Sequence, residues 1–254
     1  MIRPVPTRPW RGRSLLFDLF GTLVHFRPRV PAVEAAGAPW RSAMHWLQEA
    51  AASELPHVRF DDLLTALMNV TQDVVRQRPP EYREVPSCER FRRALLQLDV
   101  DAREAPALAE RLSLVHMSHL ASMTVLPPAH PRVLQELAAR YRLGVVSNFD
   151  HALTARRILD DHGLTGFFEA IVISEDFGQR KPHPAIFEAA LRTLEVAAED
   201  ALFIGDSLSD DVTGARNAGL AVAWINAKHD PLPPNAHAPD YVIAALSDLL
   251  ALLE

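Results

Sequence analysis

The chain has 254 residues, enough for one large or two modest domains with proper cores. Its 48% hydrophobic and 23% charged residues are ordinary for a globular protein, and its net charge of −6 argues against a nucleic-acid binder. The single cysteine, Cys88, excludes an intrachain disulfide and fits a reducing, cytoplasmic setting.

The N-terminal "MIRPVPTRPWRGR" is basic, is followed by no secretory apolar stretch, and reads as a frayed arm. No run is long enough to span a membrane. "SLLFD", Ser14 to Asp18, is a short apolar strand that delivers one carboxylate to its end. From about His25 to Met123 the period turns helical. Trp40, Met44 and Leu47 share a face, as do Leu63, Leu67, Val70 and Val74. Phe91, Leu95 and Leu98 form a third stripe, and Leu108, Leu112 and Val115 a fourth. These stripes read as the packing faces of a small helical bundle. His116 and His119, a helical turn apart, resemble a metal pair but lack a third ligand and read as solvated surface residues.

The prolines of "VLPPAHP" mark a boundary, after which strands and helices alternate. "RLGVVS", "AIVIS", "ALFIGD", "AVAWI" and "DYVIA" read as strands, with helices at "ALTARRILDDHG", "PAIFEAALRTL" and "DDVTGARNAG" and a closing helix. Repeated β-α units call for right-handed crossovers and a parallel sheet covered on both faces. The spacing therefore predicts an α/β core over residues 1–24 and 125–254, with a helical cap inserted over 25–124.

Ligands of such sheets bind beyond the carboxyl ends of the strands. Asp18 ends the first strand, Ser147 and Asn148 another, and Asp206 the "ALFIGD" strand, with Asp210 and Asp211 close behind. Lys181 precedes a helix in "GQRKPHP". Each alone is readable as a turn acid, a helix cap or a solvated loop charge. Together, in this order, they form a constellation. Lys181 and Lys228 are the only two lysines, so an ammonium at 181 in an arginine-using chain points to a compact point charge.

"FDLFGTLV", "VVSN", "GQRKPHPAIF" and "FIGDSLSDDVTGARNAG" resemble the four motifs of the haloacid dehalogenase (HAD) superfamily, and the resemblance covers nearly the whole chain. The helical insert between the first two motifs is similar to subfamily I with its C1 cap. The resemblance implies a Rossmann-like sheet and a hydrolase for a small, anionic, phosphorylated substrate. It implies Asp18 as a nucleophile that forms an aspartyl-phosphate. Ser147 and Asn148 would bind the phosphoryl group, and Gly21 and Thr22 would turn backbone amides toward it. Lys181 would pair with Asp18 and the phosphoryl group. Mg²⁺ would be held by Asp18, Asp206 and the Phe20 carbonyl, with Asp211, and less directly Asp210, supporting it. No nucleic-acid or membrane partner is expected, and the assembly is a monomer or a homodimer.

Two positions depart from the family pattern. His183 stands where many relatives have Asp, at a helix start, and leaves the lysine intact. Phe20 stands where family phosphatases carry the Asp that protonates the leaving oxygen and later activates water. Phenylalanine does neither, and general acid–base catalysis is typically worth about 10²–10⁴-fold. Such a phosphatase favours leaving groups that depart as anions, unless a cap group such as Glu84 or Tyr82 supplies the proton; Arg83 and Arg90 lie in the same loop. Haloacid dehalogenases carry an aromatic residue at this position, but generally lack the motif IV acids kept here as Asp206 and Asp211. Phosphonoacetaldehyde hydrolases need a cap lysine, and this insert has none. A catalytically weak binding module on the same fold is the remaining alternative.

Overall fold

A computed structural model describes residues 10–27, 32–35, 38–41 and 43–254, the segments 32–35 and 38–41 by backbone alone. The expected N-terminal arm is thus described only from Trp10, residues 1–9 lying outside the described residues. The chain divides into two compact units, one drawn from residues 1–26, 125–149 and 159–254 and the other from 27–124 and 150–158.

The first unit is built on a six-stranded sheet. Its strands are β1 (Ser14–Phe17), β2 (Arg142–Ser147), β3 (Ala170–Ile173), β4 (Ala201–Gly205), β5 (Ala221–Ile225) and β6 (Tyr241–Ile243). They run in the order β6-β5-β4-β1-β2-β3, every neighbouring pair parallel. This is a Rossmann-like α/β sheet. The chain runs outward from β1 through β2 to β3, then returns to the other side of β1 with β4. The strand order therefore reverses between β1 and β4, where such sheets open a ligand crevice. Register completes the placement: Phe17 lies opposite both Val145 and Ile204, so Asp18 emerges level with the ends of β2 and β4.

The strands are apolar runs because both faces are covered. On one face Leu16, Val146, Phe203 and Val222 pack with Ile186, Phe187 and Leu194 of the helix Pro184–Leu194 in a single buried cluster. Phe187 meets Phe203 edge-on, ring centroids 5.0 Å apart at 73°. On the other face Phe17 meets Phe168 edge-on at 6.2 Å.

The second unit holds α1 (Met44–Glu54), α2 (Phe60–Gln77), α3 (Ser87–Gln97) and α4 (Ala105–Ser122). Leu47, Leu63, Phe91, Leu95, Leu108 and Leu112 form its buried cluster, one stripe from each helix. Trp40 departs from the expected first stripe. It sits on a short strand, Ala38–Arg41, opposite Val33 of Ala32–Ala35 in an antiparallel pair, and its side chain lies outside the described residues. Pro39, which donates no backbone hydrogen bond and holds the preceding residue extended, accounts for the late start of α1 at Met44.

The remaining helices are α5 (His130–Ala138), α6 (Ala152–Asp161), α7 (Ser174–Phe177), α8 (Pro184–Leu194), α9 (Thr213–Asn217) and α10 (Asp248–Leu252). The "DDVTGARNAG" segment is not one helix: a π-helical turn at Leu208–Val212 leads into the short α9. No helix among the described residues is long and apolar enough to cross a membrane.

Phe187 is fully buried at the centre of the sheet–helix core. Phe187→Ala is expected to lower unfolding free energy by about 3–5 kcal/mol, the usual cost of truncating a core aromatic, read from the midpoint of urea denaturation.

Candidate active site

Three strand ends and one loop build the site. Asp18 follows the fully buried Leu15–Phe17 run, and its backbone N–H donates to the Ile204 carbonyl at 2.9 Å, which carries the β1–β4 ladder one residue further. Asp206 follows β4, and its carbonyl accepts from Trp224 Nε1 at 2.9 Å. Two glycines allow the acids to close in. Gly21 has φ +87°, and a Cβ there would lie 2.3 Å from Asp206 Oδ2. A Cβ on Gly205 would lie 2.3 Å from Asp211 Oδ2.

The π-helical turn after β4 aims Asp211 inward, where it is buried. Ser207 begins that turn: its hydroxyl accepts from Asp210 N at 3.2 Å, and its own N–H donates to Asp211 Oδ2 at 2.9 Å. Lys181 reaches in from the loop before α8, with its side chain 1% exposed. Its ammonium donates to Asp18 Oδ1 at 2.5 Å and to Asp211 Oδ1 at 2.7 Å. Asn148 secures the backbone of that lysine. Its Oδ1 accepts from Lys181 N at 2.7 Å, and its Nδ2 donates to the Lys181 carbonyl at 3.0 Å and to Asp210 Oδ2 at 3.1 Å. His183, the departure in motif III, opens α8 as its N-cap, with Nδ1 accepting from Ala185 N at 3.2 Å.

Asp18, Phe20, Asn148, Lys181, Asp206, Asp210 and Asp211 line one cavity of about 190 Å³. Arg180 and Ser207 line it too, and neither stood out in the sequence. The signal for Arg180 was adjacency to Lys181; the signal for Ser207 was its place directly after Asp206. Gly21, Thr22 and Ser147 do not line the cavity. Thr22 and Ser147 are nonetheless buried, each with a hydroxyl that has no hydrogen-bond partner among the described residues. Phe20 is held from two sides. It stacks on Phe26 at 5.3 Å and 5°, and leans on Phe149 at 4.7 Å and 39°.

The site is short of positive charge. One ammonium faces Asp18, Asp206 and Asp211, whose ligand oxygens all lie within 4.8 Å of one another. Burial pushes the Asp18 carboxyl up to about 7, Lys181 opposes the shift, and Asp211 and Asp206 add to it. Asp206 is raised as well, by burial and then by Asp211. Burial works against the Lys181 ammonium, but Asp18 and Asp211 outweigh it and hold its pKa above the ordinary value. An all-oxygen donor set with excess negative charge suits a hard divalent cation such as Mg²⁺.

In the helical unit the two histidines are half-buried against aromatic rings rather than freely solvated as expected. His119 stacks on Trp46 at 4.4 Å and 1°, and the His116 ring packs 6.2 Å from Phe91 with Nδ1 buried and unpartnered among the described residues. Burial, with Arg90 and His119, pushes His116 down to about 4. The loop charges are also engaged. Arg90 pairs with Asp150 and lies 3.9 Å from Glu84, whose carboxylate is buried and accepts from Val85 N at 3.1 Å. Arg83 is exposed and Tyr82 half-buried.

A buried acid–ammonium cluster at the switch point of a Rossmann-like sheet defines a hydrolase of the haloacid dehalogenase type. The model of the family "haloacid dehalogenase-like hydrolase" matches residues 13–219, and the chain belongs to this family. It is 27% identical over 242 residues to glyceraldehyde 3-phosphate phosphatase of Methanopyrus kandleri, covering 94% of this chain and 95% of that one. To the enzyme of the same name from Pyrococcus abyssi it is 34% identical over 109 residues, 43% of this chain and 45% of that one. The match thus spans about half the length of several curated relatives. Among solved structures it is similar to a 2-haloacid dehalogenase from Pseudomonas syringae, with TM-score 0.73, 26% identity, and 96% and 98% of the two chains covered.

The raised Asp18 has a measurable consequence. Between its ordinary value of 3.8 and about 7, the folded protein holds a proton there that the unfolded chain has lost. Stability from this group is present at the acid end of that window and is lost as pH rises through it. In EDTA, unfolding midpoints of the wild type are expected to fall across this window more steeply than those of Asp18→Asn. Parallel curves would contradict the assignment.

Proposed function

We propose that the chain is a Mg²⁺-dependent phosphatase that acts on a small anionic phosphate ester through transient phosphorylation of Asp18. The observation that carries this reading is the Lys181 ammonium, buried and bridging Asp18 and Asp211 with Asp206 alongside. Phosphatase-named relatives, one of them matched over 95% of its length, support the same class.

Phosphoryl transfer asks mainly for positioning and charge neutralisation. Asp18, Asp206 and the Phe20 carbonyl would hold Mg²⁺, with Asp211 in support. When bound, the ion supplies positive charge that offsets repulsion between the carboxylate and the phosphoryl oxygens. Lys181 adds a second positive charge beside Asp18. It also orients that carboxylate through its hydrogen bond to Oδ1. The unpartnered Ser147 and Thr22 hydroxyls would donate to phosphoryl oxygens, and the loop at Gly21 would turn its amides toward them. Asn148 acts through Lys181, as the clamp on its backbone. The helical unit would serve as the cap that selects the substrate.

Asp18→Asn is expected to keep the fold and to lower phosphate release from an aryl phosphate by at least about 10³-fold, since an amide is a poor nucleophile. Wild-type activity should vanish in EDTA and return with Mg²⁺. Full activity in EDTA, with halide released from a 2-haloacid, would replace this reading with attack at carbon.

A further inference from the structure

Cleaving a phosphate ester through Asp18 raises two proton problems. In the first step an Asp18 oxygen bonds to phosphorus and the bond to the ester oxygen breaks, its electron pair leaving with that oxygen. An alkoxide leaves poorly unless it gains a proton. In the second step a water oxygen bonds to phosphorus, and the bond to Asp18 breaks with its electron pair returning to the carboxylate. The water's proton must pass to the released phosphate or to solvent. Each step calls for a group that gives or takes a proton beside Asp18.

The cavity supplies no such group among the described residues. Phe20 lines the cavity with Asp18; it carries no exchangeable side-chain proton, and its ring packs against Phe26 and Phe149. Arg180 and Lys181 are cations that accept no proton, the Lys181 ammonium is engaged by Asp18 and Asp211, and the Ser207 hydroxyl accepts from Asp210 N. Asp211 is committed to Lys181 and the Ser207 N–H, and Asp210 to Asn148. Asp206 belongs to the carboxylate cluster that suits a cation. The Phe20 ring belongs to an aromatic cluster, stacked at 5° on Phe26 and leaning on Phe149.

We propose, resting on the phosphatase reading, that this aromatic wall sets both the substrate class and the rate-limiting step. The site takes phosphoryl groups from oxygens that are stable as anions, those of phenols and carboxylic acids. It then retains the phosphoryl group on Asp18, because attack by water is left without a base. The aspartyl-phosphate is the resting form of the enzyme during turnover.

The test mixes the full chain, with Mg²⁺, with aryl phosphates of graded leaving-group acidity, with acetyl phosphate, and with glycerol phosphate, and follows product on the millisecond-to-second scale. The aryl esters are expected to release a burst of about one phenolate per chain, followed by a slower steady rate. That steady rate should be the same for every aryl ester and for acetyl phosphate, since all share the second step. The protein should gain one phosphoryl group, located at Asp18 by mass spectrometry. Glycerol phosphate should show no burst and a rate lower by about 10²-fold or more. Phe20→Asp, which puts a carboxylate on the wall, should abolish the burst and raise the steady rate about tenfold or more. Because that change cuts into an aromatic cluster, the wild-type burst decides the question by itself. Linear phenolate release with no phosphorylated protein, or glycerol phosphate turned over as fast as the aryl esters, would overturn the inference and leave the phosphatase reading standing. Phosphate released from no ester at all would overturn both.

Discussion

The site depends on one ammonium shared by two buried carboxylates. Lys181 lies between Asp18 and Asp211, and neither acid has another cation bonded to its side chain in the described hydrogen bonds. Removing one partner of a buried ion pair typically costs about 3–5 kcal/mol, because the charge left behind is unsolvated. Much of the surrounding architecture makes this contact possible. Asn148 holds the lysine backbone with two hydrogen bonds and donates a third to Asp210, and His183 opens the helix that follows. Gly205 makes room for Asp211, and Ser207 turns the chain that carries it. A guanidinium is planar and forked, whereas the ammonium fits between two carboxylate oxygens as a point charge.

Even so, the ammonium does not balance its surroundings. Asp18 and Asp206 are both held above the usual carboxylate range by burial and by neighbouring acids. Such a cluster is stabilised by a proton or by a cation. The chain order of the sheet explains why the acids meet at all. Strands β1 and β4 are neighbours in the sheet yet far apart in the chain, and their parallel register sets Asp18 beside the β4 end that leads to Asp206.

Phe20 gives the site its individual character. Its neighbours Phe26 and Phe149 turn the departure from the motif into an aromatic cluster with defined geometry. The phosphatases and the dehalogenase that resemble this chain share its fold while their names describe different chemistry, so fold alone does not separate them. In the proposed reading the acids at 206 and 211 serve charge-neutralised phosphoryl transfer, and Phe20 limits the proton chemistry that goes with it.

Local sequence determined what could be read from period and punctuation. Strands β2 and β5 and helix α8 run where the apolar runs and turn residues placed them, because a buried parallel strand is a short uninterrupted run and Pro184 starts a helix where the lost N–H costs nothing. The candidates were legible because Asp18 and Asp206 end apolar strands, Asp211 lies close behind the second, and Lys181 sits in a loop just before Pro182. Other features had no local signal. Trp40 left its helical stripe for a strand pairing, the segment after β4 opened with a π-helical turn, and His116 and His119 found ring partners on other helices. Asn148 proved to hold the Lys181 backbone, and Arg180 and Ser207 joined the cavity. Partners far apart in the chain decide these outcomes: Asn148 and Lys181 are 33 positions apart, and Asp18 and Lys181 are 163. Sequence spacing names the candidate residues; only the parallel register of the sheet brings their charged atoms within bonding distance.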